Sequence, residues 1–157
     1  MAMHVVLVYP EIHWNTGNAG RTCLAVGATL HLIEPLGFSL DEREVKRAGL
    51  DYWEHVDVHV WPNWEAFEAR IPALGEPYFF STKATRLLWD APLGAQENVV
   101  LIFGRETGGL PRELHERYRD RFVTMPIRSS HVRSLNLSTS VAVALYEVLR
   151  QRRSSEA

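Results

Sequence analysis

Apolar residues along this chain come in short continuous runs that alternate with longer stretches of helical spacing. The runs at 4–9, 30–34, 56–60, 78–81, 98–103 and 121–125 are strand-sized and rich in β-branched or aromatic residues. Between them the spacing predicts helices over 16–28, 41–49, 64–71, 111–118 and 136–153. The last is the clearest, because Leu137, Val141, Leu145, Val148 and Leu149 fall on one face while Glu147, Arg150 and Arg153 fall elsewhere. Pro111 suits a first helical turn, where its missing N–H has no partner to lose. Strand alternating with helix predicts an α/β fold around a covered parallel sheet. With 157 residues, no linker and no repeat, the chain reads as one domain, 1–157, whose tail over 151–157 is expected to fray.

Three polar clusters fall at predicted strand-to-helix joints, which in an open parallel sheet is where ligands bind. The first runs from Asn15 to Arg21. Asn15 and Asn18 flanking Gly17 predict a turn that caps the following helix, and Arg21 is able to clamp a phosphate by paired hydrogen bonds. The second, Phe103 to Pro111, ends a buried strand in glycines that let a ligand approach the main chain. No Lys-Ser or Lys-Thr follows, so it is not a phosphate loop, nor does it have the dinucleotide-binding glycine pattern. The third is Met125-Pro126 followed by Ser134 to Ser138. Here Ser134 or Asn136 caps the strongest helix, and free N–H groups at that helix start also serve a ligand. Arg117, Arg119, Arg121, Arg128 and Arg133 crowd around it and predict an electropositive lip.

Composition changes this picture little. A net charge of −2 gives no general nucleic-acid signature, so RNA binding has to be argued locally. Apolar runs are too short to span a membrane, and no membrane partner is expected. The single Cys23 excludes an intrachain disulfide, reads as core, and suits a reducing cytoplasm. His55 and His59 lie four apart on a strand without a third ligand, so they are expected to pack or face solvent rather than hold metal. Trp53, Trp61 and Trp64 are expected to pack in the core or at a dimer interface. There is no nucleophile–histidine–acid set. The inventory suits holding a polar ligand and transferring a group it already carries.

In order and separation the clusters resemble the motifs of the SpoU branch of the SPOUT superfamily of RNA methyltransferases. Those motifs are N-x-G-N-x-x-R, matched from Asn15 to Arg21, G-x-E-x-x-G-L, matched from Gly104 to Leu110, and S-L-N-L-S, matched from Ser134 to Ser138. Pro10-Glu11-Ile12, the run from Ile33 to Phe38 and the run from Arg47 to Tyr52 are further similar to the TrmL/YibK subfamily of small tRNA wobble-position 2′-O-methyltransferases. The resemblance spans about residues 4–150. It implies an α/β parallel-sheet fold with a C-terminal deep trefoil knot, which the ordinary connection rules do not predict. It also implies S-adenosylmethionine, and no metal, held largely by main chain at Phe80, Gly104, Met125 and Ser134, with Ile127 and Leu135 beside them. The implied substrate is the ribose 2′-hydroxyl of cytidine or uridine 34, with the tRNA anticodon stem-loop as partner and a homodimer as the assembly.

Carried over residue by residue, the catalytic set is Arg21, Asn18, Glu106, Ser134 and Asn136. Arg21, whose guanidinium stays protonated, orients the ribose-phosphate and stabilises the developing alkoxide. Asn18 fixes the Arg21 loop, Glu106 positions loop or cofactor groups, and Ser134 and Asn136 order the helix start. The sequence departs from the subfamily at Phe80, where a smaller aliphatic residue is common, and at His13-Trp14, where relatives often carry prolines. The dimer interface is expected on the apolar face of the 136–153 helix and part of the helix after Asn18. Alternatives are a 2′-O-methyltransferase for rRNA or another tRNA position, and a binding-only RNA factor. A nucleotide hydrolase would need the missing phosphate loop and metal carboxylates.

Overall fold

The computed structural model describes residues 1–41 and 51–156. The helix expected over 41–49 and most of the 47–52 stretch lie outside the described residues.

All six expected strands form, within a few residues of their expected ends: β1 (Met3–Val8), β2 (Thr29–Ile33), β3 (Val58–Trp61), β4 (Glu76–Phe80), β5 (Val99–Phe103) and β6 (Phe122–Val123). They make one sheet in the order β3-β2-β1-β5-β4-β6, with every pairing parallel. The direction of winding reverses between β1 and β5, which fixes where a ligand crevice opens. Because β5 is central, all five of its residues are buried and both faces need a cover.

One face is covered by α1 (His13–Val26) and α5 (Leu137–Glu156). There Ala19, Cys23, Val141, Ala144, Leu145 and Val148 pack on Val5, Leu7, Leu30 and Leu101. Burial pushes the Cys23 thiol up to about 12, in keeping with a core residue. The other face is covered by α2 (Trp64–Glu68), α3 (Ile71–Leu74) and α4 (Arg112–Arg117), with Trp64, Phe67, Ile71 and Leu114 over Val6, Ile33, Val100 and Ile102. The single helix expected over 64–71 is split between α2 and α3 by Pro72, which removes an N–H and crowds the preceding turn.

Three expectations are corrected. First, α1 begins at His13, so Asn15, Thr16 and Gly17 are buried in its opening turns rather than forming a capping turn. Neither Gly17 nor Gly20 has a positive φ. A Cβ on Gly20 would lie 2.6 Å from the Trp53 ring, so this glycine serves close packing. Second, the apolar stripe of α5 is spent inside the subunit, where Val141, Leu145 and Val148 are fully buried. The apolar residues that α5 leaves exposed are Val143 (41%) and Tyr146 (55%), with Leu24 exposed on neighbouring α1. Third, the tail does not fray at 151–152. Gln151 donates to the Ala91 carbonyl and accepts from the Gly94 N–H. Arg152 is buried and donates to the carbonyls of Met1, Ala2 and Glu97.

A histidine row crosses β1, β2 and β3. The Trp61 indole donates to His31 Nδ1 at 3.1 Å, and His31 Nε2 lies 2.9 Å from His4 Nδ1. An indole only donates, so His31 carries its proton on Nε2 and gives it to His4. His59 stacks on His31 and bonds Asp57, which makes its role packing, whereas His55 is exposed. Burial, and then the neighbouring His4 and His59, push His31 down to about 3. The unfolded chain takes up a proton near the ordinary histidine value of about 6.5, where folded His31 still resists it. This contribution to stability is therefore complete above about pH 6.5 and is lost as pH falls toward 3. Urea unfolding at pH 7.5 and pH 4.5 should show a loss of stability at the lower pH that shrinks in His31→Phe.

Candidate active site

β1 is followed directly by Tyr9, whose φ of 56° is rare for an aromatic residue. From there Pro10-Glu11-Ile12 runs against the segment that follows β5. α1 has no side-chain cap from its own N-cap residue and no acidic residue in its first turn. Glu106 supplies what is missing. Its carboxylate accepts from the Glu11 N–H and the Ile12 N–H, each at 2.9 Å, and from Asn15 Nδ2 at 3.2 Å. A carboxylate at a helix N-terminus is favoured by both the free donors and the helix dipole. In return the Glu11 carboxylate accepts from the Thr107 N–H and hydroxyl, which holds Glu11 below its usual range.

The network continues to the third cluster. Asn15 must turn its NH2 toward Glu106, which leaves Oδ1 to accept from Asn136 Nδ2 at 3.0 Å. Asn136 Oδ1 is then free to accept from the Ser138 N–H at 2.9 Å, capping α5. Glu106 thus positions the start of α1, and Asn136 orders the start of α5. Segments 91 to 121 residues apart in sequence are joined by a single chain of donors and acceptors.

Between β5 and α4 the backbone folds back on itself. The Gly109 N–H bonds the Arg105 carbonyl at 3.0 Å, and Gly109 sits at φ 65°. A Cβ on Gly104 would overlap Gly109 C and Leu110 N. The close approach that makes Gly104 a glycine is therefore by the chain's own main chain.

A cavity of about 720 Å³ opens beside this network, at the carboxyl ends of β4, β5 and β6. Phe80, Gly104, Met125, Ile127, Ser134 and Leu135, the six positions matched to cofactor contacts, all line it, and so do Glu106 and Asn136. Phe80 and Phe103 stack face to face with centroids 4.5 Å apart and form an apolar wall. Arg21 and Asn18 are not part of the lining. Both stand exposed on regular helix. The Arg21 guanidinium lies 5.7 Å from the centre of the Tyr52 ring, and the Tyr52 hydroxyl bonds the Gly17 carbonyl. There is no loop here for Asn18 to fix.

The arginine lip is smaller than expected. Arg117 is held by Glu68 at 2.7 Å and Arg121 by Glu76 at 2.9 Å. Of the five arginines only Arg133 lines the cavity, while Lys83 and His115, which the motifs do not include, line it too. Lys83 follows Phe80 closely in sequence, but nothing in the sequence placed His115 beside it. Among the described residues no group of three His, Cys, Asp or Glu is placed to hold a metal ion.

A parallel α/β sheet with a cavity at the carboxyl ends of its strands, lined by main chain, amides and a glutamate, defines a class of protein that binds a small polar ligand there. The chain belongs to the SpoU rRNA Methylase family, whose profile matches residues 2–146. A relative from Bacillus subtilis (strain 168) is 47% identical over 156 residues, covering 97% of this chain and 94% of the relative. The tRNA (cytidine(34)-2'-O)-methyltransferase of Burkholderia cenocepacia (strain HI2424) is 45% identical over 150 residues, covering 94% of each. A solved structure concerned with 2-OH methylation of C/U34 on tRNA superposes with a TM-score of 0.88 at 42% identity, over 98% of this chain and 97% of its own. The fold is the α/β parallel-sheet fold of the SPOUT superfamily, and its topology is consistent with the trefoil knot of this family.

Gly104→Val should destabilise the protein itself, not only empty its cavity. Forcing a branched side chain into Gly109-Leu110 backbone should cost about 3 kcal/mol. Chemical denaturation of the variant measures this loss. A folded variant of wild-type stability would show that the 104–110 turn relaxes freely.

Proposed function

We propose that this protein is an S-adenosylmethionine-dependent methyltransferase acting on the ribose 2′-hydroxyl of the wobble nucleotide, cytidine or uridine 34, of tRNA. The observation that carries the reading is the convergence of the second and third motifs on one cavity, together with relatives described by that activity. The residues present fit the methyl donor. The cavity has the volume of an ordinary small-molecule site, an apolar wall from Phe80 and Phe103, and accessible polar groups at Gly104, Ser134 and the start of α5. S-adenosylmethionine supplies a methyl group on a sulfonium, a leaving group that needs no acid. The protein's task is then alignment of the ribose oxygen and removal of its proton. Glu106, Asn15 and Asn136 hold the cavity wall in place.

Arg21 stands outside its own subunit's cavity. Its proposed role on the ribose-phosphate therefore requires a second copy, and we take the homodimer as part of the reading. Leu24, one turn from Arg21, and Val143 and Tyr146 on α5 form an exposed apolar surface suited to a two-fold contact. Arg21 of one subunit would then face the cavity of the other, orienting a substrate phosphate and stabilising charge on the oxygen without itself taking the proton.

Incubation of the protein with labelled S-adenosylmethionine and unmodified tRNA, followed by nucleoside mapping, tests the activity. Arg21→Ala should lower turnover by at least about 100-fold with cofactor affinity within a few-fold of wild type. Methylation at a wild-type rate would remove Arg21 from the reaction.

Tyr146→Glu, at a surface position, tests the interface without touching the core. It should yield a folded monomer by sedimentation that binds the cofactor weakly or normally but does not methylate tRNA. An active monomer would overturn the dimeric site.

A further inference from the structure

A second cavity, of about 570 Å³, adjoins the first and shares Lys83 and His115 with it. Its remaining charged lining is Arg86, Arg119 and Asp120, between the segment after β4 and the segment before β6. The arginines nearby are neutralised: Arg112 pairs with Glu116, Arg117 with Glu68 and Arg121 with Glu76. Lys83, Arg86 and Arg119 have no such partner among the described residues. Arg86 has only the Asp90 carbonyl, at 3.3 Å. Three unpaired cations against one carboxylate therefore line a concavity in a chain whose net charge is −2. His115 is stacked on Phe122 at 4.3 Å, so its ring is fixed in the wall between the two cavities.

From this placement we infer that the second cavity is a subsite for the RNA backbone, taking the phosphodiesters that flank the nucleotide whose ribose enters the first. The inference rests on the proposed function and adds to it the path of the substrate strand. The cations are exposed and spread along an open groove, with no buried donors converging on one point. That arrangement is weak for a single small anion and suits a chain of phosphates, where each neutralised contact adds to affinity by releasing counterions. Burial and the neighbouring Lys83 hold His115 below its usual range, so it is largely neutral at neutral pH. A phosphate seated between Lys83 and Arg119 offsets that cation and raises it, which makes His115 a reporter of occupancy.

The test uses Arg86→Ala/Arg119→Ala in the otherwise intact chain, since neither residue lines the cofactor cavity. S-adenosylmethionine affinity and thermal stability should stay at wild-type values. The Kd for unmodified tRNA should rise by at least about tenfold at low salt, and the slope of log Kd against log salt should fall by about one to two units. Titration of His115 by NMR should show its pKa raised by an RNA oligonucleotide in the wild type and far less in the double variant. tRNA affinity and salt slope equal to wild type would overturn the subsite. So would an equal His115 shift from inorganic phosphate at the same phosphate concentration, which would make it a small-anion site. The two readings fail separately. A wild-type protein that binds RNA through these arginines but methylates no tRNA keeps the subsite and loses the activity. One that methylates tRNA with an indifferent double variant keeps the activity and loses the subsite.

Discussion

Two backbone N–H groups at the start of α1 and the amide of Asn15 all end on the Glu106 carboxylate, and Asn15 passes the constraint on to Asn136 at the start of α5. Hydrogen bonds to a charged acceptor contribute about 1.5–3 kcal/mol each, enough for one glutamate to fix the relative position of three segments. The order of donors is forced. With the Glu106 carboxylate accepting all three, Asn15 has one orientation, Asn136 has one orientation, and α5 is capped by the oxygen left over. The cavity is the space these constraints enclose. Glu106, Asn15 and Asn136 in its wall are already satisfied by one another, so a ligand meets a wall that is largely preorganised.

The sequence made the sheet and most of the cavity legible because both depend on local signals. β-branched runs mark strands whatever surrounds them, and the three motifs lie where strands end. All six positions matched to cofactor contacts line one cavity for that reason. The errors arose where a residue type serves two purposes. Asparagines flanking a glycine are a turn signal when exposed, but Asn15 and Gly17 are buried in helix because Glu106, 91 residues after Asn15, supplies the cap that permits an earlier start. Gly104 looks like a residue kept small for a ligand, and its nearest constraint is Gly109. The stripe on α5 identified the buried face correctly. Its partner is the sheet of the same subunit, and periodicity does not distinguish that from the sheet or helix of another. His115 beside Lys83, and Arg86 opposite Arg119, are tertiary facts with no local signature.

Charge on this protein is arranged by pairing rather than by number. Glutamates 68, 76 and 116 pair with Arg117, Arg121 and Arg112, while Lys83, Arg86 and Arg119 along the second cavity have no such partner among the described residues. An overall acidic chain can in this way present a basic track without the non-specific attraction that a high positive charge would bring. The exposed helix face with Arg21 is a different surface, defined by apolar residues. The two surfaces divide the work proposed here, one guiding a strand and the other completing the site with a neighbour's side chain.

The covering of the central sheet has a consequence for how the chain is made. Val141, Ala144, Leu145 and Val148 close the face of β1 and β5 that α1 covers only in part, and Arg152 ties the last helix to the carbonyls of Met1 and Ala2. β1 is therefore sealed by α5, a helix that follows every strand of the sheet in chain order. Throughout elongation an apolar sheet face and its parallel pairings wait for residues not yet added, the circumstance in which nascent chains associate with each other or with chaperones. For this architecture the sheet is closed only once α5 has been made, whatever the order in which the earlier elements form.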